Sequence, residues 1–285
     1  MARVAVVTDS TATIPAPLLR NLPISICPLQ VCWGQTIYLD GVDIQPDEFY
    51  IRLSTTKIMP TTSQVTPAMF EKTYRSLAEE GFDIMSIHIS SKLSGTLDSA
   101  WQAKKALPKA HIEIVDSEFT AMAMGWQVLA VARAAAEGAT LAECKSLSAQ
   151  AKEHSGVLFL LDTLEFLKRG GRIGGAAAFF GQAFNIKPIL ELRDGSIEPA
   201  DKVRTSLKAQ EKLLDILEQR IGKRTPIRLS SLHANAAPQA EKLLERARER
   251  FGIADVNETN ISVVSPVLGV HTGPGALGIA YMAGM

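Results

Sequence analysis

Three short segments of this chain carry side chains suited to holding a small oxyanion: Thr61-Thr62-Ser63-Gln64, Ser94-Gly95-Thr96 and His271-Thr272-Gly273-Pro274-Gly275. Hydroxyls donate hydrogen bonds, and glycine lets the backbone come close to a ligand. A helix start adds free N–H groups and partial positive charge. Each segment precedes an expected helix, beginning near residues 67, 97 and 276. Brought together they form an oxyanion cradle; taken singly, each also reads as ordinary helix capping.

The kind of anion follows from what accompanies the hydroxyls. Neither GxxxxGK[ST] nor GxGxxG after a strand occurs, and Lys92 is the one cation near these loops. A polyphosphate needs more positive charge, whereas a single carboxylate is satisfied by hydroxyls, backbone N–H groups and one imidazole. His271 is the only histidine in a Gly/Pro-rich segment. His88 lies within a strand pattern and reads as a core residue, while His111, His154 and His233 sit at element edges. No two histidines have metal-ligand spacing, so no metal is expected, and no cofactor. A second chemistry remains open: Ser94 as nucleophile, His271 as base and Asp9 or Asp116 as orienter would make an esterase or acyltransferase. Against it, the GxSxG elbow is missing.

The elements that must position these residues read as α/β. Apolar strands are expected at 3–8, 82–89 and 112–115, each followed by a polar loop and a helix, the repeat of a parallel sheet. The run 24–31 is interrupted by Pro28 and reads as one bent or edge strand. Thr66 and Pro67 are suited to begin a helix. Beyond residue 154 the pattern changes. Strands at 156–161 and 187–193 flank a glycine-rich stretch at 170–175 and an apolar helix at 176–184. Asp194-Gly195 is a hairpin signal with an antiparallel return at 196–199. Helices at 205–220 and 238–251, strands at 226–233 and 260–264, and a terminal helix at 276–282 complete the reading. The expectation is two domains with the ligand between them: residues 1–153, a three-layer α/β domain with a parallel sheet, and 154–285, a two-layer α+β domain.

Composition narrows the partners. The 285 residues are 46% hydrophobic, enough for a sizeable core. Thirty basic side chains balance thirty acidic ones, which argues against nucleic acid as the main partner. Cys27, Cys32 and Cys144 form no CxxC pair, as expected in a reducing cytoplasm. Neither a signal peptide nor a transmembrane run is expected.

The segments VTDSTA at 7–12, TTSQ at 61–64, SSKLSGT at 90–96, VDS at 115–117, KRGGRIGG at 168–175, KVRT at 202–205 and HTGPGALG at 271–278 occur in an order that resembles the bacterial DegV family. That family includes the FakB fatty-acid-binding proteins. The resemblance spans nearly the whole chain and implies two α/β domains enclosing a long-chain fatty acid. It implies that Thr62 (or its neighbour Thr61), Ser94 and His271 contact the carboxylate, with Gly95 giving a backbone N–H and Thr272 adjoining. The serine would then be a ligand contact, not a nucleophile. Lys92 stands where the family more often has glycine. The resemblance further implies a carrier that presents the acid to a separate ATP-dependent fatty acid kinase, giving an acyl phosphate for phospholipid synthesis. Arg172 and Arg204 match family arginines and are candidates for docking the kinase or a membrane surface; ordinary surface ion pairing is the alternative.

For the tail, 174–192 is the expected wall, with Ile173 adjoining. Ile173, Ala177, Phe179, Phe180, Phe184, Ile186 and Ile189 are all apolar, with filling of the second domain's core as the competing assignment. Flanking glycines would let this stretch act as a lid or simply turn.

Overall fold

The structure, a computed structural model, describes residues 3–179, 186–252 and 254–285. The apolar run after Arg3 forms β1 (Arg3–Asp9), buried from Val4 onward, followed by a 3-10 turn and the short α1 (Ala16–Leu19). β2 (Ile24–Cys27) comes next. Pro28 has no N–H to donate, and past it the chain leaves the sheet, so β3 (Gln30–Trp33) belongs to another one. The single bent strand expected over 24–31 is therefore two strands in two sheets. β4 (Thr36–Leu39) and α2 (Pro46–Thr55) lead to β5 (Thr61–Ser63), a short strand where a loop was expected. Next is α3 (Pro67–Glu79), with Thr66 accepting a bond from the Met69 N–H at its start. Then come β6 (Phe82–His88), α4 (Thr96–Lys105), β7 (Ile112–Asp116), α5 (Ala121–Ala136) and α6 (Leu141–His154), the last begun by a Thr140–Glu143 capping box.

From residue 155 the elements are β8 (Ser155–Leu160), α7 (Glu165–Arg169), a 3-10 turn over Gly174–Phe179, β9 (Lys187–Arg193), β10 (Ser196–Val203) and α8 (Ser206–Ile221). They are followed by β11 (Ile227–His233), α9 (Ala237–Phe251), β12 (Val256–Val263), α10 (Pro266–Thr272) and β13 (Leu277–Ala283). Asp194 and Gly195 both have positive φ, 50° and 77°, and turn β9 into β10 as a hairpin. Two expectations fail here. The terminal helix at 276–282 is the strand β13, buried at every position and hydrogen-bonded on both sides, to β8 and β11. A short apolar run buried on both faces has no periodicity to separate strand from helix. The helix expected over 176–184 is a 3-10 turn as far as Phe179, and 180–184 lie outside the described residues.

β2-β1-β6-β7 form an all-parallel sheet, and β4-β3-β5 a small antiparallel one. The six-stranded sheet, in the order β10-β9-β8-β13-β11-β12, is antiparallel except for the β11–β12 pair. α3 and α4 cover one face of the parallel sheet, and α5 and α6 the other. α5 also packs on β8, β11 and β13, while α8 and α9 cover the far face of the six-stranded sheet. The result is a three-layer α/β part joined to a two-layer part through α5. That helix is apolar nearly all round because both its faces meet a sheet.

Candidate functional site

The parallel sheet sets the place. Its strand order reverses between β1 and β6, so the loops after these two strands part and leave a crevice at the sheet's C-terminal edge, where open α/β sheets take ligands. A cavity of about 230 Å³ lies there. Leu29, Ile89, Leu93, Thr120 and Ala121 from the loops after β2, β6 and β7 form one side. The six-stranded sheet forms the other. Leu232, Gly278 and Phe159 are directly paired across β11, β13 and β8, and Leu192 and Ile197 face each other across the hairpin. α10 closes the cavity with Val267, Leu268, His271 and Thr272, one face of a helix by their i, i+1, i+4, i+5 spacing.

The polar end of this apolar space gathers residues from all three segments. Thr62 Oγ1 and His271 Nε2 are 2.9 Å apart although 209 positions separate them in sequence. Ser94 and Gly95 line the same cavity just before α4, with Ser94 Oγ 2.9 Å from Thr96 Oγ1 and accepting the Thr96 N–H at 3.3 Å. Gly95 lies against the Gln64 side-chain amide, and a Cβ there would stand 2.9 Å from Gln64 Cδ and have to displace it. Thr272 Oγ1 donates to Leu268 O at 3.2 Å and also lines the cavity.

Strand alternation separates the tandem threonines. Thr62 pairs with the fully buried Val31, whereas Thr61 pairs with Cys32 on the outward face and is exposed. Thr61 lines a second, outer cleft of about 310 Å³ with Pro60, Phe166, Arg169 and Gly170. Thr62, Arg172 and His271 line both spaces and so form the partition between them. His271 lies in the last turn of α10, so the helix start supposed to follow it contributes no positive dipole. Burial, with the nearby Arg172 charge adding to it, pushes the imidazole down to about 4, leaving it neutral at pH 7. Arg172 is exposed, yet its Nε donates to Leu93 O at 3.1 Å and its Nη1 to Gly170 O at 2.7 Å, bridging the Ser94 segment to the turn after α7. Arg204 is exposed between β10 and α8 and lines neither space.

Among the described residues the expected serine, histidine and aspartate do not assemble as a triad. His271 Nδ1 has no partner among the described residues, so nothing orients the ring as a base. Asp9 is committed to His88 Nδ1 at 3.1 Å and to the Thr11 and Ile89 N–H groups, and Asp116 to Ser91. A base held near pKa 4 also takes protons poorly at neutral pH.

Most of the described residues named for the tail wall lie away from the cavity. Ile173 and Phe179 are half-buried against the main core and outside the cavity lining, with Lys202 over the Phe179 ring. Ala177 is exposed, and Ile189 faces the core under α8 because strand alternation puts it opposite Leu190 and Leu192. Phe180 and Phe184 lie outside the described residues. Of the described residues in the expected stretch, Leu192 does line the cavity; the other described walls come from β8, Ile197 of β10 and α10, whose apolar residues look like core residues in the sequence.

Known proteins share this fold. A DegV domain-containing protein of Streptomyces coelicolor is 40% identical over 278 residues, 97% of each chain. Protein DegV of Bacillus subtilis is 33% identical over 280 residues, 98% of each. The crystal structure of the latter, described as a fatty acid binding protein, superposes with a TM-score of 0.89 at 32% identity, covering 99% of this chain and all of that one. A DegV family protein of Thermus thermophilus, whose structure is described for its fatty acid binding, gives 0.90 at 34% identity over 99% of both chains. These relatives are named for binding and not for a reaction. The family model described as uncharacterised protein, DegV family, matches residues 3–284, and the chain belongs to the DegV family.

Proposed function

We propose that this protein binds a long-chain fatty acid with its tail in the apolar cavity and its carboxylate at Thr62, Ser94 and His271, and carries it without altering it. The observation that carries this reading is the Thr62–His271 pair at the polar end of an otherwise apolar space. The tail supplies affinity: about 0.8 kcal/mol per methylene, so roughly 11 kcal/mol gross for about fourteen methylenes, before ordering costs. The head supplies direction, because a carboxylate buried without donors costs several kcal/mol. Gly95 lends a backbone contact, and Thr272 shapes the same end.

We infer further that the acid is presented through the outer cleft to an ATP-dependent fatty acid kinase, which forms the acyl phosphate used in phospholipid synthesis. The cleft supports this by reaching the same Thr62 and His271 from outside. Arg172 and Arg204, both exposed, would meet the kinase or, transiently, a membrane surface. Native mass spectrometry of protein purified from cells tests the binding step. The expected result is an added mass of one long-chain fatty acid, lost on delipidation and restored by palmitate. A retained short polar acid, or serine-dependent hydrolysis of a p-nitrophenyl ester lost in Ser94→Ala, would contradict it.

A further inference from the structure

The His271 ring that meets Thr62 has its other edge against Gly170, a residue with no side chain. The Gly170 backbone, φ −76° and ψ −8°, lies in the ordinary right-handed region that any residue adopts without strain. Its neighbour Gly171, at φ 72°, needs glycine for its backbone. Gly170 needs it for space. A Cβ there would overlap His271 Nδ1 and stand 2.7 Å from Cε1 and 3.3 Å from Cγ. Nδ1 is buried with no partner among the described residues, so no hydrogen bond holds the ring from behind. The bare Gly170 Cα limits the ring on that side, and Thr62 limits it on the other at 2.9 Å. The Gly170 carbonyl meanwhile accepts from Arg172, whose Nε reaches the backbone beside Ser94.

We propose that Gly170 is a positioning residue for the carboxylate site. Its missing side chain sets where the imidazole stands, and its carbonyl anchors the arginine that ties in the Ser94 segment. With a bare Nδ1 toward Gly170, Nε2 carries the proton and donates to Thr62 Oγ1, leaving the threonine hydroxyl hydrogen for a ligand oxygen. This role rests on the fatty acid reading above.

The test compares Gly170→Ala, His271→Ala and the double variant for binding palmitate and hexadecan-1-ol, with the His271 titration followed by NMR. Gly170→Ala is expected to weaken palmitate about tenfold, the scale of one hydrogen bond to a charged group, and to leave the alcohol nearly unchanged. In the His271→Ala background the added methyl has room, so Gly170→Ala should cost nothing more. The His271 midpoint should climb from about 4 toward its ordinary 6.5 as the ring is pushed out. If Gly170→Ala fails to fold while the double variant folds, the clash is confirmed; if both fail, Gly170 serves some other purpose and the proposal falls. Unchanged palmitate affinity with an unmoved midpoint, or equal losses for acid and alcohol, would also overturn it. Should the unmodified protein bind no palmitate, the fatty acid reading fails, and the midpoint alone then decides Gly170: a rise upholds the steric role and a fixed value ends it.

Discussion

Thr61 and Thr62 show how one residue of register decides chemistry. Both carry the same hydroxyl, but only Thr62 faces inward beside His271. Thr62→Val and Ser94→Ala are each expected to weaken palmitate about tenfold or more, and Thr61→Val to leave it within about twofold, measured by equilibrium titration. His271 adds a pH signature. Its pKa in the folded protein lies below its unfolded value, so as pH falls the unfolded chain takes up the proton first. The stability at stake is fully present above pH 6.5, falls as pH drops toward 4, and changes no further below that. The loss is on the order of 2 kcal/mol after allowing for partial exposure. Urea denaturation at pH 7.5 and 4.5 should show it in the unmodified protein and not in His271→Gln. The residue types of the site were legible in the sequence because hydroxyls, glycine and imidazole clustered at polar segments. What was not legible was which carboxylate serves which histidine. Asp9 belongs to a fully buried chain running through His88 and Ser86 to Tyr74, with contacts of 3.1, 2.6 and 2.7 Å. Its first three members have the hydrogen-bond pattern of a catalytic triad, but all are shut away from solvent and hold the core of the parallel sheet.

α10 was missing from the sequence reading, because Pro266–Thr272 is too short and too apolar to show a helical stripe. Yet it carries His271 and Thr272 and closes the cavity. The first half of the chain holds it in place. Asp40 Oδ1 accepts the Val267 N–H at 3.1 Å at the start of α10, Tyr50 donates to Val264 O at 3.0 Å, and Gly269 lets the helix lie against Phe49 and Tyr50. Asp40 is 2% exposed, and burial pushes its carboxyl above the usual range. Asp40→Ala is therefore expected to cost about 2 kcal/mol in chemical denaturation and to weaken palmitate. Asp40→Asn, which keeps the acceptor oxygen, should recover most of both. Full recovery by Ala as well would show that the cap is not what seats α10. β13 was misread for a related reason: a central strand buried on both faces loses the alternation that identifies strands at a surface.

The molecule as a whole is joined by α5, whose apolar faces touch both large sheets. Among the described residues one continuous core therefore runs from β1 through α5 to β8 and β13, and the layer under α8 and α9 forms a second cluster. The change of pattern near residue 154 was visible in the sequence, and we place the domain boundary between 153 and 154, just before the first strand of the six-stranded sheet. The sharing of α5 was not visible, since an all-apolar helix does not say which partners bury it. Unfolding by urea should give one transition, with fluorescence and far-ultraviolet circular dichroism coinciding; two separated transitions would mean that the parts fold independently. The cavity belongs to this scale too, because its walls come from both parts of the chain. The most direct test of the account is a crystal structure of the protein saturated with palmitate. It should show the carboxylate within hydrogen-bonding distance of Thr62 Oγ1 and Ser94 Oγ, and the tail running past Phe159, Leu192 and Val267. Palmitate lying with its carboxylate at the far end, or bound on the outside with the cavity closed, would contradict it.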